Sequence, residues 1–223
     1  MMQTKDMRIT LPGYSRAEEL VNMISHIVGG ALGIVALVLC LTVAALHQNL
    51  WGVASSIVYG ISMILLYTMS SIYHGLVHQT AKRVFRVLDH CTIFLMIAGT
   101  YTPIALSALR PQQPGLAWGY FGLEWGLAIL AITLTAINLK KYQAFSMFCY
   151  LIMGWCIVPA FHSLLQVLTV PGFNLLLAGG ILYTLGAVFY GIGKKKKFIH
   201  GVFHLFVFLG SLMHFLCIII YVL

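Results

Sequence analysis

Two histidines four residues apart, His200 and His204, stand at the start of an apolar run that follows four lysines, Lys194 to Lys197. On a helix this spacing puts both imidazoles on one face, one turn apart. Histidine is costly inside a hydrocarbon layer, so two on one stripe ask for a shared partner. Neutral imidazole is the commonest zinc ligand, and an H-x-x-x-H pair can give one metal two of its ligands. By spacing alone the pair suits interfacial hydrogen bonding equally well. A metal site needs a third ligand at the same depth from another part of the chain.

The elements that must position these groups are membrane helices. Of 223 residues, 61% are hydrophobic and only 8% charged, with a mean hydropathy of +0.95. A soluble domain carries about 25% charged residues, so this chain has too much apolar sequence for one soluble core. The net charge of +8 raises the question of nucleic acid. The basic residues sit in short loops between apolar runs, however, where topology and anionic lipid headgroups explain them, and no nucleic-acid partner is expected. The first apolar run follows a polar segment of about twenty residues, without the pattern of a removed signal peptide. Cys40, Cys91, Cys149, Cys156 and Cys217 are scattered through apolar runs with no C-x-x-C, so buried free thiols are expected.

Along the chain, residues 1–14 are polar and expected to lack order. Ser15-Arg16-Ala17-Glu18 reads as a capping box with Ser15 as N-cap. The helix it opens carries Glu18 or Glu19, Asn22 and His26 near one face. Gly29, Gly30 and Gly33 then permit a neighbouring helix to come close. Seven apolar runs, at about 20–46, 51–74, 87–109, 117–138, 143–166, 173–192 and 199–222, each approach the roughly 20 residues that cross a bilayer. Pro103 and Pro159 should kink two of them. Twelve of the thirteen lysines and arginines fall on one side of this arrangement and Arg110 alone on the other. The positive-inside rule then puts the N-terminus in the cytoplasm and the C-terminus outside. Trp51, Trp118 and Trp125 map to the outer interface. The expected fold is all-α, a polytopic seven-transmembrane bundle, with residues 1–19 a cytoplasmic segment and helix start and 20–223 the transmembrane domain.

This topology makes depth readable. Helix 2 descends to Ser70-Ser71-Ile72-Tyr73-His74, and helix 3 starts from the same side with Leu88-Asp89-His90. His74, Asp89, His200 and His204 therefore share the inner end of the bundle. Asp89 is the only aspartate besides Asp6, and at a helix start near hydrocarbon it needs a partner. His78, one turn beyond His74, lies nearer the aqueous loop. His90 points roughly 100° away from Asp89 on a helix and suits packing. His26 with Asn22 suits either support of the inner mouth or a polar contact between helices. His162 and His214 lie toward the outer half and are expected to make interhelical hydrogen bonds. Glu124 reads as an outer-interface residue.

Ser70-x-x-x-His74, the run Leu88 to Phe94 with Ala98-Gly99-Thr100-Tyr101-Thr102-Pro103, and His200-x-x-x-His204 resemble the haemolysin III family. That family belongs to a larger group that includes the progestin and adiponectin receptors. Tyr14-Ser15-x-x-Glu18-Glu19-x-x-Asn22-x-x-x-His26 is similar to its bacterial branch. The resemblance implies seven transmembrane helices in a bacterial plasma membrane and a zinc ion near the cytoplasmic side. It carries the metal onto His74, His200 and His204, with Asp89 and Ser70 beside it.

Three functions stay open. In the first, zinc with an open position lowers the pKa of water to about 7 and polarises a carbonyl. Asp89 would then orient or deprotonate the water and Ser70 would hydrogen-bond the oxyanion. A site in the inner leaflet favours membrane lipids, and the resemblance implies a ceramide-like amide. In the second, a structural zinc staples the helices of a receptor-like or membrane-homeostasis protein. The third is the cytolytic pore that the family name implies. A water-filled pore needs polar residues along its length, whereas here the ionisable residues cluster at one end.

Overall fold

Within lipid, apolar runs of this length can satisfy their backbone groups only as helices. The computed structural model describes residues 11–193 and 196–223, and no strand occurs among them. The expected disorder of residues 1–14 falls mostly on 1–10, outside the described residues, as do Lys194 and Lys195 of the lysine run. The helices are α1 (Arg16–Leu46), α2 (Leu50–Gly75), α3 (Gln79–Pro103), α4 (Pro114–Ile137), α5 (Leu139–Trp155), α6 (Phe161–Gly193) and α7 (Ile199–Tyr221). Six stretches are long and apolar enough to cross a membrane, and one of them, Leu139–Gly193, runs through both α5 and α6.

Local sequence accounts for several helix ends. The Ser15 capping box forms, with Glu18 Oε2 accepting from the Ser15 N–H at 2.9 Å. Pro103 closes α3, and the chain continues as a π-helical turn, Ile104–Leu109. Pro159 breaks its helix where a kink was expected. The run read as 143–166 stops at Trp155, and Pro159 sits in a short 3₁₀ turn, Val158–Ala160. Proline lacks an N–H and its ring crowds the carbonyl four residues back, which kinks or breaks a helix, and here it breaks it. Thr169, with φ of 60°, interrupts α6 just before Pro171.

Tertiary hydrogen bonds give the directions. Trp155 Nε1 donates to Thr184 Oγ1 at 2.9 Å, and Gln143 Nε2 donates to the Tyr190 hydroxyl at 3.1 Å. Early α5 thus meets late α6, so the chain reverses between them. The start of α6 reaches the α3–α4 connection, where Ser163 Oγ donates to Gln113 Oε1 at 2.8 Å. At that same end His47 Nδ1 lies 2.7 Å from the Leu223 carbonyl oxygen, and the Arg110 guanidinium stands 4.4 Å from the Trp51 ring centroid. Trp51 and Trp118 pack edge to face there and are exposed. Trp125 instead turns inward to donate to Thr102 Oγ1.

Close approach of α1 and α2 depends on glycine. The Tyr67 ring fills the place of a side chain at Gly29, where a Cβ would come within 2.3 Å of it. At Gly60 a Cβ would lie 2.8 Å from the Leu37 Cα, and backbone cannot yield as a side-chain tip does. Gly60→Ala is therefore expected to destabilise the bundle by about 1–3 kcal/mol through overpacking, read as a lower melting temperature in detergent.

Candidate metal centre

At the end of the bundle opposite Trp51, α2 delivers His74 from its last turn, and α7 delivers His200 and His204 from its first two. The start of α7 is fixed by α1, because Glu18 Oε1 accepts from the Phe198 backbone N–H at 2.9 Å. One nitrogen from each of the three histidines lies within 4.8 Å of the other two, and all three residues are buried. No other such group of histidine, cysteine and carboxylate side chains occurs among the described residues.

The hydrogen bonds of the rings define their free nitrogens. His74 Nδ1 is 2.6 Å from Glu19 Oε2, while its buried Nε2 has no protein partner. His204 Nδ1 lies 3.0 Å from Ser25 Oγ and 3.3 Å from the Asn22 carbonyl oxygen. Its Nε2 faces the His200 Nε2 at 3.2 Å. An imidazole whose Nδ1–H is engaged presents an Nε2 lone pair. His74 and His204 thus present Nε2 lone pairs, and with a nitrogen of His200 they form a three-imidazole set that fits a tetrahedral divalent metal with one position left open. This donor set suits zinc and equally other first-row metals that accept imidazole.

Ser70 is buried one turn before His74, and Asp89, half-buried on α3, stands beside it. Both line a cavity of about 160 Å³ that His200 and His204 also line. The cavity continues past Tyr183 as far as His214, ten residues along α7 from His204, or about 15 Å of helix. Its wall on α5 and α6 includes Gly154, Gly180, Thr184 and Ala187 beside the larger Tyr150, Trp155 and Tyr183. Tyr14 covers the other end, its ring stacked on His200 with centroids 5.0 Å apart. Burial pushes the Tyr14 phenol above its usual range, so it remains a neutral donor beside the histidines.

Other histidines fall into distinct roles. His78 is exposed and caps α3 through the Ala81 N–H. His90 lines the cavity without joining the three-histidine set, its backbone carbonyl accepting from the Tyr150 hydroxyl. His214 makes the expected interhelical bond, Nε2 to the Leu176 carbonyl oxygen at 3.0 Å. His162 does not: it is exposed and packs against Phe161. His26 lies under the site, its ring centroid 3.7 Å from that of His204. Glu124 departs most from expectation. It is wholly buried, and its Oε1 accepts from Cys156 Sγ at 2.6 Å.

Residues 14–215 match the family model described as Haemolysin-III related. The chain belongs to the haemolysin III family. It is 43% identical over 206 residues to "Hemolysin-3" of Bacillus cereus, covering 92% of each chain. It is 38% identical over 204 residues to the "Hemolysin-3 homolog" of Bacillus subtilis (strain 168), covering 92% of this chain and 94% of that one. A more distant likeness, 26% over 179 residues, links it to the human "Monocyte to macrophage differentiation factor", covering 78% of this chain and 72% of that protein. Family and apolar helices together make this a multi-pass membrane protein.

Missing from the sequence reading were Glu19, Ser25 and Tyr14 as neighbours of the histidines. A signal was present in the shared α1 face of Glu19, Asn22 and His26. It could not tell Glu18, which caps two helices, from Glu19, which reaches His74.

Proposed function

We propose that this haemolysin III protein is a zinc-dependent hydrolase of a lipid amide, of ceramide type, drawn from the inner leaflet. The observation that carries the reading is the convergence of three imidazole nitrogens beside the Ser70–Asp89 pair, at the head of a largely apolar cavity. A zinc ion held by His74, His200 and His204 would supply a Lewis acid and a water of pKa about 7. Asp89 takes the proton of the attacking water and returns it to the leaving amine, so water and amide give acid and amine. Ser70, one turn from His74, would donate its single O–H to the carbonyl oxygen as it gains charge. The cavity beyond receives an acyl chain, and its largely apolar lining favours a substrate that arrives from the bilayer. A soluble peptide would gain nothing from that lining.

The reading includes seven membrane crossings with the N-terminus in the cytoplasm. Its support is the reversal between α5 and α6 together with the one-sided basic loops. Reporter fusions or cysteine labelling should report Arg83 and Lys140 as cytoplasmic and Arg110 and Leu223 as external. A cytoplasmic C-terminus would overturn the count of seven.

The printed name of the Bacillus cereus relative favours a second reading, membrane lysis. The site tests both. Metal analysis of detergent-purified protein should find about one zinc per chain, and a screen of ceramides, acyl-amides and lipid esters on that sample should find turnover. Fully loaded protein that hydrolyses none of them overturns the hydrolase and leaves the metal as a staple between α2 and α7. Lysis of erythrocytes that persists in zinc-free protein supports the pore.

A further inference from the structure

We propose that α1 is the orienting element of the histidine site: Glu19, held by Lys82, fixes the ring of His74, and Ser25 fixes that of His204. This assignment rests on the metal reading above and goes beyond it, since α1 supplies none of the proposed ligands.

Glu19 shares its two oxygens between two partners. Oε2 is 2.6 Å from His74 Nδ1, and Oε1 is 2.8 Å from Lys82 Nζ. The His74 side chain is fully buried, and those of Glu19 and Lys82 are 17% and 8% exposed. Lys82 is itself anchored, donating to the Leu76 carbonyl oxygen at 3.1 Å and lying 5.1 Å from the Tyr73 ring centroid. A carboxylate in such surroundings needs a cation, and Lys82 supplies one from the first turn of α3. The carboxylate accepts the His74 Nδ1–H, which leaves the Nε2 lone pair exposed to the site. That Nε2 is buried and has no protein partner. Such an arrangement is costly unless something else occupies the nitrogen.

The second ring is held similarly. Ser25 Oγ donates to the Asn22 carbonyl oxygen at 2.8 Å, so its own lone pair faces His204 Nδ1 at 3.0 Å. The hydroxyl therefore acts as acceptor and selects the Nδ1–H form of His204. Ligand histidines in metal proteins usually donate their second nitrogen this way, and loss of such a partner typically lowers metal affinity about 10–100-fold. Here both partners sit on one helix, six residues and less than two turns apart.

Glu19→Gln is a sharp test because glutamine has one oxygen. If Lys82 keeps that oxygen, the amide NH₂ faces His74 Nδ1, and two donors cannot meet. The ring must then carry its proton on Nε2, where it blocks coordination. On the full-length protein in detergent, chelator competition should show zinc held about 10–100-fold more weakly in Glu19→Gln. Ser25→Ala should lose less, because the Asn22 carbonyl remains as acceptor. The visible spectrum of the cobalt-substituted protein should shift in Glu19→Gln, a change that a purely structural ion pair would not cause. In a His74→Ala background Glu19→Gln should cause no further loss of affinity. A parent that binds no zinc removes the metal reading and this assignment together. A zinc-binding parent beside a Glu19→Gln variant of unchanged affinity and cobalt spectrum removes this assignment alone.

Discussion

Replacing His204 with alanine is expected to empty the site and loosen the bundle at once. The ring is wholly enclosed, its Nδ1 held by α1 and its Nε2 directed at His200. Removing it deletes one donor of the three and opens a hole between α1 and α7. His200→Ala and His74→Ala should lose metal as well, since neither remaining pair of imidazoles holds zinc well alone. A ligand that binds only the folded state stabilises it by about 2.7 kcal/mol at a hundredfold excess over Kd. All three variants should therefore melt at or below the temperature of the chelator-treated parent, His204→Ala lowest because of its cavity, and chelator should shift them little further. His214→Ala is the control. Its ring packs in the same cavity, but Nε2 serves the Leu176 carbonyl far along α7, so metal content should persist. Elemental analysis beside thermal unfolding checks both, and equal zinc in His74→Ala and parent would remove His74 from the ligand set.

Asp89→Asn should leave zinc in place while turnover falls steeply. Asp89 lies beside the imidazoles without belonging to the set of converging nitrogens, so its amide preserves metal content. Hydrolysis requires a group that accepts the proton of water and later gives it up, and an amide does neither. A positioned acid or base is typically worth about 10²–10⁴-fold, and the loss should fall within that range. Ser70→Ala should cost less, because water can replace one hydroxyl donor. If the metal only joins α2 to α7, Asp89→Asn should match the parent in every assay. Zinc content and lipid-amide turnover measured on the same preparations separate the two outcomes.

Much of the molecule was readable because it is a local property of the chain. Apolar run lengths determined the helices, because a backbone in lipid must satisfy itself. The Ser15–Glu18 cap, the shared face of His200 and His204, and the depth of His74 followed from spacing along single helices and from the distribution of basic loops. Family resemblance, carried by those same motifs, supplied the link between His74 and the α7 pair. What spacing could not supply was rotation. These helices are apolar on most faces, and lipid and protein interior are alike apolar, so periodicity does not tell which side turns inward. Glu124 and Trp125 were therefore assigned to the interface, whereas α4 turns both toward α3 and α5. Whether Glu18 or Glu19 would reach the histidines depended on how α1 packs against α2, where the Tyr67 ring lies over Gly29. The break at Pro159 and the covering of His200 by Tyr14 likewise required the neighbours in space. Tertiary packing thus decided the partner of each imidazole, and with it which nitrogen each one presents.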